Sequence, residues 1–202
     1  FISGRWLFLT SFFQWFSGNY WILISSATLG TAALGIFRAC QTIINSSNVF
    51  FQAFENIFPI KTSEILKQSG VKSMVIFIQN FSFKGILFTS ILILFLCFFS
   101  KPILILLFGN TFGEYDNYLL NYSFILPFIF LQFPISYILR SIRKTKPILI
   151  SYIFSSLFTI LLAEQITNNY KIYGLINGII FAQLIIVTIS LLGALYYLKK
   201  QL

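Results

Sequence analysis

Apolar residues run along this chain in long stretches, and six of those stretches predict membrane-spanning helices. They cover about Trp6 to Leu29, Thr31 to Phe58, Gly85 to Ser100, Tyr118 to Leu139, Pro147 to Ala163 and Ile172 to Leu198. The second stretch carries a polar seam at Arg38, Gln41, Asn45, Asn48, Gln52 and Glu55. Its spacings alternate between three and four, which puts all six side chains within roughly 100° of helix circumference. The other faces of the same stretch carry Leu34, Ile36, Phe37, Ile43, Ile44, Val49, Phe50, Phe51 and Phe54. An arginine facing lipid at a helix centre costs about 2.5–3.5 kcal/mol. A stripe of this kind therefore faces other helices or a water-filled cavity. Asparagine and glutamine also serve as interhelical glue, worth roughly 1 kcal/mol per contact, and Arg38 and Glu55 sit near the span ends where long side chains snorkel. Six polar residues in register favour a cavity lining over packing alone.

The segments between spans have their own patterns. From Lys61 the chain is polar through Gln68 and breaks at Gly70. Beyond Gly70 the alternation of Val71, Met74, Val75, Phe77 and Ile78 with polar residues predicts an amphipathic helix lying in the membrane interface. The segment from Lys101 to Asn121 reads as a short loop dipping into the interface on the other side. Pro127 and Pro134, with Gln132 between them, predict a kinked fourth span. Gly174 and Gly178 form a G-x-x-x-G that permits close helix approach.

Composition fits the pattern. Mean hydropathy is +0.86, 57% of residues are hydrophobic and 9% are charged, so the chain is an all-α polytopic membrane protein. The net charge of +9 has a topological origin. Arg5, Lys61, Lys67, Lys72, Lys84, Arg140, Arg143, Lys144, Lys146, Lys199 and Lys200 fall on one side of the six spans, and Lys101 and Lys171 on the other. Positive residues concentrate on the cytoplasmic side, which predicts that both ends of this chain are cytoplasmic. No basic face interleaves with exposed aromatics on a polar scaffold, so nucleic acid is not an expected partner. The chain starts at Phe1 and enters a span within a few residues, which reads as the C-terminal half of a longer protein. Cys40 and Cys97 lie in apolar spans and act as small hydrophobes.

The inventory of reactive groups is thin. There is no histidine, and the five acids are Glu55, Glu64, Glu114, Asp116 and Glu164. These assemble into no catalytic, metal or cofactor site, so neither an enzyme nor a cofactor is expected.

The stretch from Trp15-Phe16-Ser17-Gly18-Asn19-Tyr20 through Gly30, Leu34, Gly35, Arg38, Ala39 and Gln41 to Glu55-Asn56-Ile57-Phe58-Pro59 resembles a known family. It is similar to the oligosaccharide and polysaccharide flippases of the multidrug/oligosaccharidyl-lipid/polysaccharide exporter superfamily. Their second half opens with a helix pair of the form G-x-x-x-L-G-x-x-R-A-x-Q. The resemblance implies one six-helix lobe, residues 1–202, of a two-lobe MATE-like transporter whose first lobe is missing here. It implies flipping of a polyprenyl-diphosphate-linked oligosaccharide across the bacterial cytoplasmic (inner) membrane for surface polysaccharides such as O-antigen. Arg38 would then attract the anionic headgroup, since guanidinium matches phosphate geometry. Gln41, Asn45, Asn48 and Gln52, with Gln14 and Asn19 of the first span, would bind sugar hydroxyls or water. Glu55 is either a coupling carboxylate or an inner-end cap. The alternatives are a cation-coupled multidrug exporter of the same superfamily, and a membrane scaffold subunit that transports nothing.

Overall fold

The structure is a computed structural model that describes the backbone of residues 2–55 and 57–200 and the side chains of 9–52, 54–55 and 57–200. The Arg5 side chain and Asn56 therefore lie outside the described residues. The described chain is helical almost throughout: α1 (Ile2–Ser46), α2 (Asn48–Glu55), α3 (Phe58–Phe108), α4 (Asp116–Ser123), α5 (Leu126–Ser141) and α6 (Lys146–Lys199). A 3-10 turn over Asn110–Tyr115 joins α3 to α4.

Three of these helices are too long to be single rods in a bilayer. At 45, 51 and 54 residues, α1, α3 and α6 would run about 68, 77 and 81 Å against a hydrocarbon core of about 30 Å. Each contains one non-helical residue, and there it folds back on itself. In α1 this is Gly30 at φ 80°, ψ 175°, a conformation that only glycine adopts without strain. Gln14 and Asn48, about 50 Å apart along an unbroken helix, consequently line one cavity. In α3 the break is Gly70 at φ 79°. The Phe58 ring comes back to within 4.0 Å of the Phe81 ring centre, and Lys61 Nζ stands 5.7 Å over Phe77. In α6 the break is Lys171 at φ 51°, ψ −130°. Ser190 and Ser151 meet at 3.0 Å, and Ser155 Oγ donates to the Ala182 carbonyl at 3.1 Å.

The six separate spans expected from hydropathy are accordingly not seen as six helices. Among the described residues four helical stretches are long and apolar enough to cross a membrane: Leu9–Gln52, Phe58–Phe108, Asn110–Ser141 and Lys146–Lys199. The reason is local, since single-residue reversals at Gly30 and Lys171 stand where loops were expected. The polar segment after Lys61 is also helical rather than a loop. Its apolar side packs Ile65, Leu66, Met74 and Ile78 against Ile135, Ile138, Ile142 and Leu198. The segment after Lys101 continues α3 through Pro102 to Phe108, where Gly109 N–H caps the Ile105 carbonyl at 2.9 Å. In the proline-rich segment the helix is interrupted at Phe124–Ile125, ahead of Pro127, while Pro134 lies inside α5.

The core is sealed by small residues as much as by large ones. Along the first half of α6, Ser151, Ser155, Thr159, Ala163 and Thr167 are all buried, one every four residues. This stripe lets α1 approach closely: Ser17 and Ser155 hydroxyls lie 2.8 Å apart, and Ser156 Oγ donates to the Phe13 carbonyl at 2.7 Å. Trp21 is fully buried, with Nε1–H donating to Thr159 Oγ1 at 3.0 Å. Its indole lies against Gly178, where a Cβ would come within 2.1 Å of the ring. The close approach expected of the G-x-x-x-G is thus made by a tryptophan as well as by backbone, with a Cβ on Gly174 meeting the Ile166 carbonyl at 2.4 Å.

Candidate functional site: a polar cavity inside the bundle

An apolar bundle gains nothing from placing amides and hydroxyls at its centre unless something polar meets them. Here they surround a cavity of about 480 Å³, within the size range of ordinary ligand sites. The first half of α1 contributes Thr10, Gln14, Ser17 and Gly18, and α2 contributes Asn48, Gln52 and Glu55. From α5 come Ile129, Gln132, Phe133, Ser136, Tyr137 and Arg140. The two halves of α6 close the remaining wall with Ile148, Tyr152, Gln183 and Ile186. The reversals at Gly30 and Lys171 make this possible: the first returns the chain so that α2 reaches the cavity walled by the first half of α1, and the second brings both halves of α6 to it.

One wall is a hydrogen-bonded chain. Gln183 Nε2 donates to Gln132 Oε1 at 2.6 Å, and Gln132 Nε2 donates to the Tyr152 hydroxyl. This fixes the Gln132 amide between α5 and both halves of α6. Of the three polar side-chain atoms buried without a partner among the described residues, Asn48 Oδ1 and the Tyr137 hydroxyl belong to residues that line the cavity, and Ser25 Oγ does not. Among the described residues the only acid on its wall is Glu55, whose Oε1 lies 3.9 Å from Arg140 Nη1, with both side chains about half exposed. The cavity can therefore donate and accept hydrogen bonds on several sides while carrying a balanced charge pair at one edge.

The seam divides. Asn48, Gln52 and Glu55 reach this cavity together with Gln14. Arg38, Gln41 and Asn45 lie outside it, and so does Asn19, whose amide donates to the Trp15 carbonyl at 3.2 Å. Arg38 is exposed and donates from Nη1 to Gln41 Oε1 at 2.7 Å, and Asn48 Nδ2 donates to Asn45 Oδ1 at 3.3 Å. The helix is interrupted at Ser47, between the two parts of the seam. Sequence reasoning missed Gln132, Gln183, Tyr152, Tyr137 and Arg140 as wall residues. The signal was present for the two glutamines, each a lone amide between apolar neighbours in a long apolar helix. Among the described residues no three His, Cys, Asp or Glu side chains cluster to hold a metal ion.

Comparison with known proteins gives one family. A family model described as MatE matches residues 7–163, which include the whole of α1 to α5 beyond the first few residues. No curated protein and no solved structure matches the chain.

Proposed function

The chain belongs to the MatE family and is a transporter rather than an enzyme, and on that premise we propose that it moves a lipid-linked oligosaccharide across the membrane. It does so as one lobe of a two-lobe protein. In this reading the halves of α1 and α6 on either side of Gly30 and Lys171, with α3 and the α4–α5 pair, make six crossings. The lysine- and arginine-rich end, with both ends of the chain, faces the cytoplasm of a bacterial cell.

The observation that carries the proposal is the chemistry of the cavity wall. Gln14, Asn48, Gln52, Gln132 and Gln183 present amides, Ser136, Tyr137 and Tyr152 present hydroxyls, and the only acid is set beside an arginine. Amides and hydroxyls that both donate and accept suit the hydroxyls of a glycan. A polyprenyl tail would remain in lipid while the headgroup enters a cavity opened alternately to each side. Arg38, exposed on the second half of α1, and the half-buried Gln41 bonded to it are assigned to the diphosphate and to the face met by the other lobe. The competing reading, a cation-coupled drug exporter, draws on Glu55, the one cavity carboxylate.

Deleting the gene in its own cell separates the two. The proposal predicts loss of surface polysaccharide and build-up of its lipid-linked precursor in the inner leaflet. Normal polysaccharide with heightened sensitivity to cationic drugs would overturn it in favour of the exporter.

A further inference from the structure

The turn between α5 and α6 holds a second feature, independent of the cavity. α5 ends with Lys144 N–H bonded to the Leu139 carbonyl at 2.8 Å and Arg143 N–H to the Arg140 carbonyl at 3.0 Å. This double bond pattern closes a helix around a left-handed residue that is usually glycine. Here it is Arg143, at φ 56°. The backbone thus holds a guanidinium where the turn itself would be relaxed by having no side chain.

Other cations gather around it. Lys144 Nζ stands 5.8 Å over the Tyr197 ring, which sets the last turn of α6, with exposed Lys199 and Lys200, beside the α5–α6 turn. Lys146 is exposed at the start of α6. Ser63 and Ser141 hydroxyls lie 3.3 Å apart, so the segment bearing Lys61 and Lys67 flanks the same turn. Arg140 is turned to Glu55, whereas Arg143, Lys144, Lys146, Lys199 and Lys200 have no salt bridge among the described residues. Below these charges α6 exposes Ile150, Phe154, Leu192, Leu195 and Tyr196.

We propose that this turn is a docking site for an anionic phospholipid of the adjoining leaflet, with Arg143, Lys144 and Lys146 holding its phosphodiester headgroup. The apolar face of α6 beneath the charges receives the acyl chains, which selects a lipid over a soluble anion. Guanidinium and ammonium groups around one phosphate are complementary in charge and geometry, and clustered basic residues next to a membrane helix draw acidic lipid.

The test uses the purified full chain, delipidated in a neutral detergent, with thermal unfolding followed as lipid is added. Phosphatidylglycerol should raise the Tm saturably, while phosphatidylcholine and inorganic phosphate should not. The R143Q/K144Q/K146Q variant should bind phosphatidylglycerol much more weakly, by roughly fivefold for each charge removed. Arg143→Gly separates binding from folding: it should raise the Tm without lipid and still weaken phosphatidylglycerol binding. Equal stabilisation by phosphatidylcholine, a response to phosphate alone, or full affinity in the triple variant would each overturn the proposal.

Discussion

Gln183 donates its amide N–H to Gln132 Oε1 at 2.6 Å, and through this bond the second half of α6 is tied to α5 across the wall of the cavity. Because Gln132 also donates to Tyr152, it joins three helical segments at one amide. Replacing it with leucine removes both bonds and leaves Gln183 facing an apolar surface. Gln132→Leu should lower stability by about 1–3 kcal/mol, and should reduce transport more than the fall in folded protein explains. Thermal unfolding in detergent and a transport assay normalised to membrane-inserted protein read the two effects separately.

The approach of Trp21 to Gly178 sets a steric prediction. A Cβ at Gly178 would sit 2.1 Å from the indole, and the indole cannot withdraw without losing its bond to Thr159. Gly178→Ala should therefore destabilise the bundle by about 1–3 kcal/mol, as overpacking does. Gly35→Ala, where a Cβ meets open space inside helix α1, should be neutral or slightly stabilising. Parallel unfolding midpoints for the two variants check this; equal midpoints would refute the packing assignment.

Both reversals that build the cavity use positive φ, by opposite means. Gly30 suits its φ of 80°, and Gly30→Ala should cost about 1–2 kcal/mol although a Cβ there touches nothing. Lys171 carries a side chain at φ 51°, and Lys171→Gly should add about 1 kcal/mol. Unfolding of each variant against the parent gives the signs, which should be opposite.

These particulars show what the sequence made legible. Its apolar stretches disclosed an all-α membrane bundle, and the i, i+3, i+7 seam pointed to polar contents, with Gln14, Asn48, Gln52 and Glu55 meeting at one cavity. The chain was expected to turn at both places, but hydropathy averages over a window and does not show that one residue at positive φ makes each reversal without a loop. Gly30 is hidden between Leu29 and Thr31, and Lys171 looks like an ordinary loop charge. The interruption at Ser47, which parts Arg38, Gln41 and Asn45 from the cavity, leaves no mark in the spacing of the seam. The small-residue stripe from Ser151 to Thr167 was not read from the sequence, and its tight packing against α1 emerged only with the structure.

The stripe carries its own prediction. Ser155 is fully buried, within 2.8 Å of the Ser17 hydroxyl and bonded to the Ala182 carbonyl. Ser155→Ala keeps the close approach and should cost only about 1 kcal/mol, whereas Ser155→Leu should prevent stable assembly of α1 on α6. The yield of monodisperse protein in detergent distinguishes the two outcomes.

The central claim is that the amide-lined cavity carries the polar headgroup of a lipid-linked glycan. Its most direct test is complementation of the gene deletion by Asn48→Leu, Gln132→Leu and a control on the lipid-facing surface, Leu161→Ala, each matched for membrane-inserted protein. The account predicts that both cavity variants leave the lipid-linked precursor in the inner leaflet while the control restores surface polysaccharide. Full restoration by both cavity variants would contradict it.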